Sequence, residues 1–594
     1  MTQQAAEPAE PTSAAMSRAA VRAAGPDAVV LRADDIDATV VAAQATTHDV
    51  PRVVTHLMWA RGVRETSEQA QVLDPRLSSL RRPDAMAGFE PALDALIWAL
   101  QNDKRIGIFG DYDVDGVTTA TILATYLEAL GASVVVRVAH RDRGYGFGIG
   151  DAEAFAEAGT QLVLTGDCGT SDIPALSWLA ERDIPCVVID HHQVPESMPP
   201  ARALINPHQP GCEFPFKGLC SAGVAFYLCA ALRTRLASQR RTVPDPRAWL
   251  DLVALATVCD MMPLVDENRV LVHHGLRVMA GRRRPGLAAL LSAAGVGAGE
   301  ALDEGHLGFK LGPRLNAPGR LGPADPSLEL LRARSAAEAE PLAQRVETLN
   351  ATRKRHSERT AAEAMAILAA DPQAESRAAL VVAHDGWLSG IVGIAAARLA
   401  EHYKRPALVL AIDTARGVAR GSVRGWGGVD VRGALAECGD LLDRFGGHRE
   451  AAGATVPVAN IDALREAFAA AVASQVRDAA AHDDIEVVDA HLPLGRIDLG
   501  LLQGIRRLGP YGIGFALPRF SVLSAEVVRA RVLKERHVSV TLRDETGERD
   551  GIAFGQAFHD LAPGDRIACI FEPKVDRFRG EERVRLGIER LWRV

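Results

Sequence analysis

Three aspartates, Asp111, Asp113 and Asp115, stand at alternate positions between a short apolar run and Gly116 in the stretch Ile106–Gly116. Carboxylates this close repel one another and raise each other's pKa, so keeping them ionised calls for a cation, most simply a bound metal. The same spacing opens a calcium-binding EF-hand loop, which ends in a bidentate Glu at its twelfth position and follows a helix. Here the twelfth position is Ile122 and the preceding run is strand-like, so the EF-hand reading fails. An acidic surface turn remains the alternative for this stretch taken alone.

Other segments decide between them. Gln161–Gly166 is a strand-like run ending in Asp167, Pro185–Ile189 another ending in Asp190-His191-His192, and the apolar element from Asp251 ends in Asp260. The elements around the first loop read as helix Ala92–Gln101, strand Arg105–Phe109, helix Thr118–Leu130 and strand Ser133–Val138, a βαβ unit with a parallel sheet. In open parallel sheets ligands bind outside the carboxyl ends of the strands, so three strands ending in acids or His point at one place. Carboxylates mixed with imidazole suit Mn²⁺ or Mg²⁺ better than zinc, and this many ligands suffice for two ions. Cys168 and Cys259, each beside a key Asp, read as packing residues. His273-His274 reads as surface or core.

The chain has 594 residues, 48% of them apolar and 24% charged, an ordinary soluble composition with room for roughly three to five domains. Its net charge of −8 neither supports nor excludes nucleic acid, because a basic groove can sit on an acidic protein. Eight cysteines without a C-x-x-C pair suggest neither a zinc ribbon nor a secreted disulfide framework, and point to the reducing cytoplasm. Residues 1–25, rich in Ala, Pro, Glu and Ser, read as a disordered tail and not a signal peptide. No apolar run approaches the ~18 residues of a membrane helix.

Gly110-Asp-Tyr-Asp-Val-Asp-Gly116, Gly166-Asp-Cys-Gly169, Asp190-His-His192 and Asp260 together resemble the four motifs of the DHH phosphoesterase superfamily. Within it, Asn206-Pro207, Cys212–Cys220, Gly223-Val-Ala-Phe226 and Gly312–Arg320 resemble the RecJ family of single-stranded-DNA-specific 5′→3′ exonucleases, from about Arg105 to the C-terminus. The resemblance implies that Asp113, Asp115, Asp167, His191 and Asp260 ligate two Mn²⁺ or Mg²⁺ ions, with Asp167 bridging. Asp111 and His192 then support the ligands or contact substrate. It further implies that Ser422, Arg424 and His448, with Arg314 or Arg320 from the motif that also holds Asn316, hold the 5′ end of the strand.

The expected architecture is α/β and multidomain. A tail (1–25) and an N-terminal helical portion wrapping the first domain (26–90) precede a parallel-sheet DHH catalytic domain (91–325). A connecting helix (326–376) leads to a second α/β unit resembling the DHH-associated domain across a cleft (377–480), and an OB-like barrel ends the chain (481–594). In the connecting helix Leu342, Val346 and Leu349 keep core spacing, while 350–359 is polar on all faces and reads as a solvated bridge. The glycines of Phe445–Gly453 read as a turn that brings backbone N–H groups close to a phosphate.

Barrel strands are expected over Phe520–Leu533, His537–Arg543, Gly551–Phe554, Arg566–Pro573 and Val584–Leu591. Lys534, Arg536, His537, Lys574, Arg577, Phe578 and Arg579 are candidate contacts to a single strand, and ordinary solvated strand faces are their alternative. Two stretches depart from the family's pattern, Gly509–Phe520 and Ala139–Gly146, and bear on the DNA path. The expected product is 5′-mononucleotides in DNA repair and recombination, the expected partners are single-stranded DNA, a helicase and a single-strand-binding protein, and the chain is taken as a monomer. The competing readings are a phosphodiesterase of short oligonucleotides or cyclic dinucleotides, a pyrophosphatase relative, and a repair scaffold without catalysis. The barrel argues against the first two and the full ligand set against the third.

Overall fold

The computed structural model describes residues 29–33, 35–141, 146–238, 243–478, 486–556, 560–578 and 581–594. The tail expected over 1–25, residues 142–145 of the departure at Ala139–Gly146, and Arg579 lie outside them. The chain forms two compact units: residues 80–480, and a second made of residues up to Ser79 with those from Ala481.

In the first unit, β1 (Ile106–Gly110) leads through the acidic loop into α1 (Val114–Ala129), followed by β2 (Val134–Val138), β3 (Leu162–Gly166), β4 (Cys186–Ile189) and β5 (Ala203–Ile205). These strands form one parallel sheet in the order β2-β1-β3-β4-β5. β1, β3 and β4 are buried along their whole length, which is why they read as continuous apolar runs without alternation. Two glycines set the acidic loop tightly on the sheet. A Cβ on Gly110 would lie 2.3 Å from the Gly116 carbonyl oxygen, and one on Gly116 would lie 2.4 Å from the Asp111 nitrogen. Helices α2 (Ser221–Ala237) and α3 (Leu250–Cys259) pack on α1, and α3 ends at Asp260.

A π-helical turn, His306–Leu311, runs into α4 (Gly312–Leu321), and α5 (Ala336–Ala370) leads to a second sheet. That sheet follows from β6 (Leu380–His384), α6 (Val392–Tyr403), β7 (Ala407–Asp413), β8 (Val418–Arg424), β9 (Arg444–His448) and β10 (Ala451–Pro457), in the order β9-β10-β8-β7-β6. The solvated bridge expected over 350–359 is corrected here. α5 packs against α4 and α6, and Asn350, Ser357 and Thr360 are buried along one face of it. A stripe of small polar residues is invisible to an apolar-periodicity test.

The second unit holds a closed barrel of β11 (Phe520–Leu533), β12 (His537–Asp544), β13 (Gly547–Ala553), β14 (Arg566–Phe578) and β15 (Glu581–Arg593), in which β11 pairs with both β12 and β14. The N-terminal segment belongs to this unit and not, as expected, around the first domain. Val29–Leu31 pairs in parallel with Glu486–Val488, and the wholly buried Asp489 is ion-paired to Arg32 and Arg61.

Candidate active site

The acids reach one place by three different local devices. Asp113 caps α1 by accepting the Gly116 N–H at 3.1 Å, so the helix start sets its carboxylate at the strand end. Asp115, in the first turn of the same helix, is buried and accepts the Ser221 and Ala222 N–H groups at 2.7 and 2.9 Å, which are the first N–H groups of α2. Asp167 follows β3 with a positive φ of 64° and receives the Ser221 hydroxyl at 3.3 Å. A non-glycine residue held in that conformation is a costly local feature of the kind found at functional sites.

His191 closes the cluster. Its Nε2 lies 3.2 Å from Asp167, 3.3 Å from Asp260 and 3.7 Å from Asp115. Three overlapping sets could each hold an ion: Asp115, His191 and Asp260; Asp111, Asp113 and Asp167; and Asp167, His191 and His192. Asp111 Oδ1, His191 Nε2 and Asp260 Oδ2 are buried without a hydrogen-bond partner. Burial and then mutual repulsion push the carboxyls of Asp111 and Asp167 well above the usual range, and that of Asp260 up to about 8. Orphaned ligand atoms among carboxyls that cannot all ionise alone fit divalent cations.

His192 behaves differently. Its Nδ1 lies 2.8 Å from Asp190 Oδ1, and although burial opposes its charge, that hydrogen bond and the Asp190 charge raise it to about 9. Asp190 also accepts the N–H groups of Thr170, His191 and His192, and these contacts outweigh its burial to keep it ionised. His192 Nδ1 is also 3.8 Å from Asp167, and an imidazole raised by Asp190 could donate to a phosphate.

Beside the acids lies a cluster of guanidinium groups. Arg141 stacks on the Tyr112 ring at 4.1 Å and donates to the Gly319 carbonyl. Arg320, at the end of α4, donates to the Gly390 carbonyl, and the backbones meet so closely that a Cβ on Gly390 would lie 2.2 Å from the Arg320 oxygen. Burial and the charges of Arg141, Arg353 and Arg424 bring Arg320 down to about 10. Ser422 and Arg424 share one face of β8 and approach Gly393 in the first turn of α6, within 3.2 and 3.3 Å of the place its Cβ would occupy. Among the described residues Arg141, Arg320 and Arg424 donate to backbone carbonyls, those of Gly319, Gly390 and Val423, and none of the three is ion-paired to a carboxylate. Guanidiniums crowded against a helix N-terminus could hold an anion such as a phosphate.

Two expected contacts stand elsewhere. The Arg314 guanidinium is taken up by Glu347, at 2.5 and 3.3 Å, and by the Lys310 carbonyl, so it ties α4 to α5. Gly446-Gly447 is not a turn; it lies on strand β9, at the edge of the sheet, and His448 ends that strand exposed. Asn316 is half-buried on α4. Sequence reasoning passed over Arg141, Ser221 and Asp190 as site residues. Asp190 alone carried a signal, as an acid directly before the His pair.

In the barrel, Lys534 and Arg536 stand in the β11–β12 hairpin, His537 accepts the Gly555 N–H, and Lys574 is exposed on β14. Arg577 and Phe578 end that strand.

The chain matches models of the DHH family N-terminal domain over residues 105–257, the DHHA1 domain over 376–474 and the RecJ OB domain over 488–590. It is 34% identical over 563 residues to the single-stranded-DNA-specific exonuclease RecJ of Dickeya dadantii, spanning 91% of this chain and 96% of that one. Crystal structures of RecJ from Thermus thermophilus in complex with Mn²⁺ and with Mg²⁺ superpose with TM-scores of 0.79 and 0.73 at 30% and 28% identity. Each covers 94% of this chain, and 78% and 77% of the other. All three parts of the chain, matched in order and across nearly its whole length, place it in the RecJ family of single-stranded-DNA-specific exonucleases.

Proposed function

We infer that this protein is a metal-dependent exonuclease that hydrolyses single-stranded DNA from the 5′ end and releases 5′-mononucleotides in repair and recombination. The observation that carries this reading is the acid-and-imidazole cluster beside a carboxylate-free arginine cluster within one unit. The first set is chemically a divalent-metal site and the second a phosphate site.

Asp113, Asp115, Asp167, His191 and Asp260 would hold two Mn²⁺ or Mg²⁺ ions, with Asp167 shared. Such ions, when bound, lower the pKa of water and neutralise charge on a phosphodiester. The chain's own groups do the rest. The α2 N–H groups and the Ser221 hydroxyl fix Asp115 and Asp167, so neither reorganises during reaction. Asp190 keeps His192 protonated, an imidazolium beside the phosphate that stabilises negative charge there. Arg320, Arg424 and Ser422, with the N-terminus of α6, would hold a terminal phosphate while the next phosphodiester lies over the acids. Anchoring the end in this way supports the 5′→3′ polarity, and the exposed His448 is a further candidate contact.

The OB barrel suits an unpaired strand, since such barrels combine basic grooves with stacking surfaces. An enzyme that needs unpaired DNA needs partners that unwind it and keep it single, which supports a helicase and a single-strand-binding protein acting on the same strand. We take the working unit as a monomer. All eight cysteines are free thiols, consistent with a reducing cytoplasm, and among the described residues no helix is long and apolar enough to cross a membrane.

The deciding assay compares 5′-labelled and 3′-labelled single strands with duplex in Mn²⁺. The expected result is early release of the 5′ label as mononucleotide, with duplex spared; equal attack on both ends or on duplex would overturn the reading.

A further inference from the structure

Phe309 is the most exposed large apolar side chain among the described residues, at 85%. Met261, immediately after Asp260, is 69% exposed and held at a positive φ of 57°. Single exposed apolar residues are ordinary and need no explanation. These two flank one contact: Cys259 donates to the Leu307 carbonyl at 3.5 Å, Met261 lies two residues beyond Cys259 and Phe309 two beyond Leu307. Phe309 also sits on the π-helical turn, a rare geometry that recurs at functional sites.

The position of that turn gives the pair its meaning. It abuts Cys259, whose thiol is pushed up by burial and then by the charges of Asp113, Asp260 and Asp115, so it lies against the acidic cluster. A Cβ on Gly312, the first residue of α4, would lie 2.5 Å from the Cys259 sulfur, while one on Gly319 would lie 2.7 Å from the Tyr112 oxygen. α4 therefore runs past the centre, with its start beside Asp260 and its end beside Asp113. Arg320 at that end belongs to the phosphate cradle. A strand anchored there and crossing the acids leaves toward Met261 and Phe309, about 16 Å from Arg320 at the 1.5 Å rise of a helix.

We propose that Phe309, together with Met261, is the stacking platform for a base of the single strand on the 3′ side of the scissile phosphate. The proposal rests on the exonuclease reading. An exposed aromatic accepts any base face and needs no sequence readout, which suits a sequence-tolerant nuclease. The occupant is the continuation of the strand whose end the arginine cluster holds.

The test uses the full-length protein and two 5′-phosphorylated probes, a dinucleotide and a ten-residue oligothymidine, with Phe309→Ala, Phe309→Trp and Met261→Ala. Phe309 lends nothing to the core, so its loss leaves folding intact. Phe309→Ala is expected to raise KM for the ten-mer about tenfold, equivalent to about 1.4 kcal/mol. Its kcat/KM on the dinucleotide, too short to reach the platform, is expected to stay as in the wild type. Phe309→Trp should restore the ten-mer KM and Met261→Ala should give a smaller rise. Fluorescence anisotropy of the ten-mer in chelator, with no turnover, should show the same order of affinities. Wild-type KM and affinity in Phe309→Ala would overturn the platform alone, as would equal losses on both probes. A wild type that hydrolyses neither probe would instead sink the exonuclease reading and the platform with it.

Discussion

Asp190 Oδ1 lies 2.8 Å from His192 Nδ1, and that hydrogen bond and the Asp190 charge raise the buried imidazole to about 9. The same hydrogen bond and the His192 charge, with the N–H groups of Thr170, His191 and His192, hold the Asp190 carboxyl low despite its burial. The charge of the site is thus set by a residue that is not among its proposed ligands. Replacing Asp190 by Asn keeps the shape but removes the charge that outweighs the burial of His192, so the His192 pKa should fall from about 9 to the ordinary value of ~6.5 or below. Protonated His192 would then be lost as pH rises through neutrality. The expected outcome is a kcat profile whose alkaline limb moves to lower pH by about two pH units or more, with near-normal activity at about pH 6. An unmoved limb would show that His192 protonation is irrelevant.

At the scale of an element, α4 shows how one helix divides its arginines. Arg314 and Arg320 are six residues apart, yet Arg314 meets Glu347 on α5 whereas Arg320 meets other arginines and the Gly390 carbonyl. Charge-assisted hydrogen bonds contribute about 1.5–3 kcal/mol, so Arg320→Gln should raise KM for a 5′-phosphorylated strand about 10- to 100-fold. A 5′-hydroxyl strand should suffer less. Arg314→Gln should instead lower the unfolding temperature and leave KM within about threefold, since what it removes is an ion pair between helices. Steady-state kinetics on the two substrates and thermal melts of the two variants separate these roles; equal KM effects would merge them.

The whole molecule is built from two units with different dependencies. The catalytic unit contains carboxyls held above their unfolded pKa, Asp260 up to about 8, so without metal it retains protons that the unfolded chain releases. That contribution to stability is present below the ordinary carboxylate range and is lost as pH rises from ~4 through about 8. In the barrel unit, Asp489 is wholly buried between Arg32 and Arg61, and removing one partner of such a cluster costs about 3–5 kcal/mol. Calorimetry of the intact chain should therefore resolve two transitions. Mn²⁺ should raise one of them, more at about pH 8 than at about pH 5, and Asp489→Ala should lower the other. A metal effect larger at the acidic pH, or one shared transition shifted by both, would contradict the assignment.

The acidic loop, the strand ends at Asp167 and His191, and the Asp260 cap were legible in the sequence because they rest on local rules. A buried parallel strand is a continuous apolar run whose carboxyl end faces the crevice, and the apolar run of α3 stops at Asp260. The barrel's strands were legible for the same reason, although β13, β14 and β15 run further than their apolar cores suggest. Only the tertiary structure decided which arginine of α4 is claimed by a carboxylate, because the Glu347 that pairs with Arg314 lies 33 residues away. It also decided that Asn350 and Ser357 are buried, that the Gly446-Gly447 pair lies on an edge strand, and that Val29–Leu31 joins a strand more than 450 residues further on. The sequence by itself determined the chemistry of the centre, since residue type and local periodicity specify a ligand and the strand end that carries it. Partner choice between remote segments depends on packing and desolvation across the fold, and no local pattern records it.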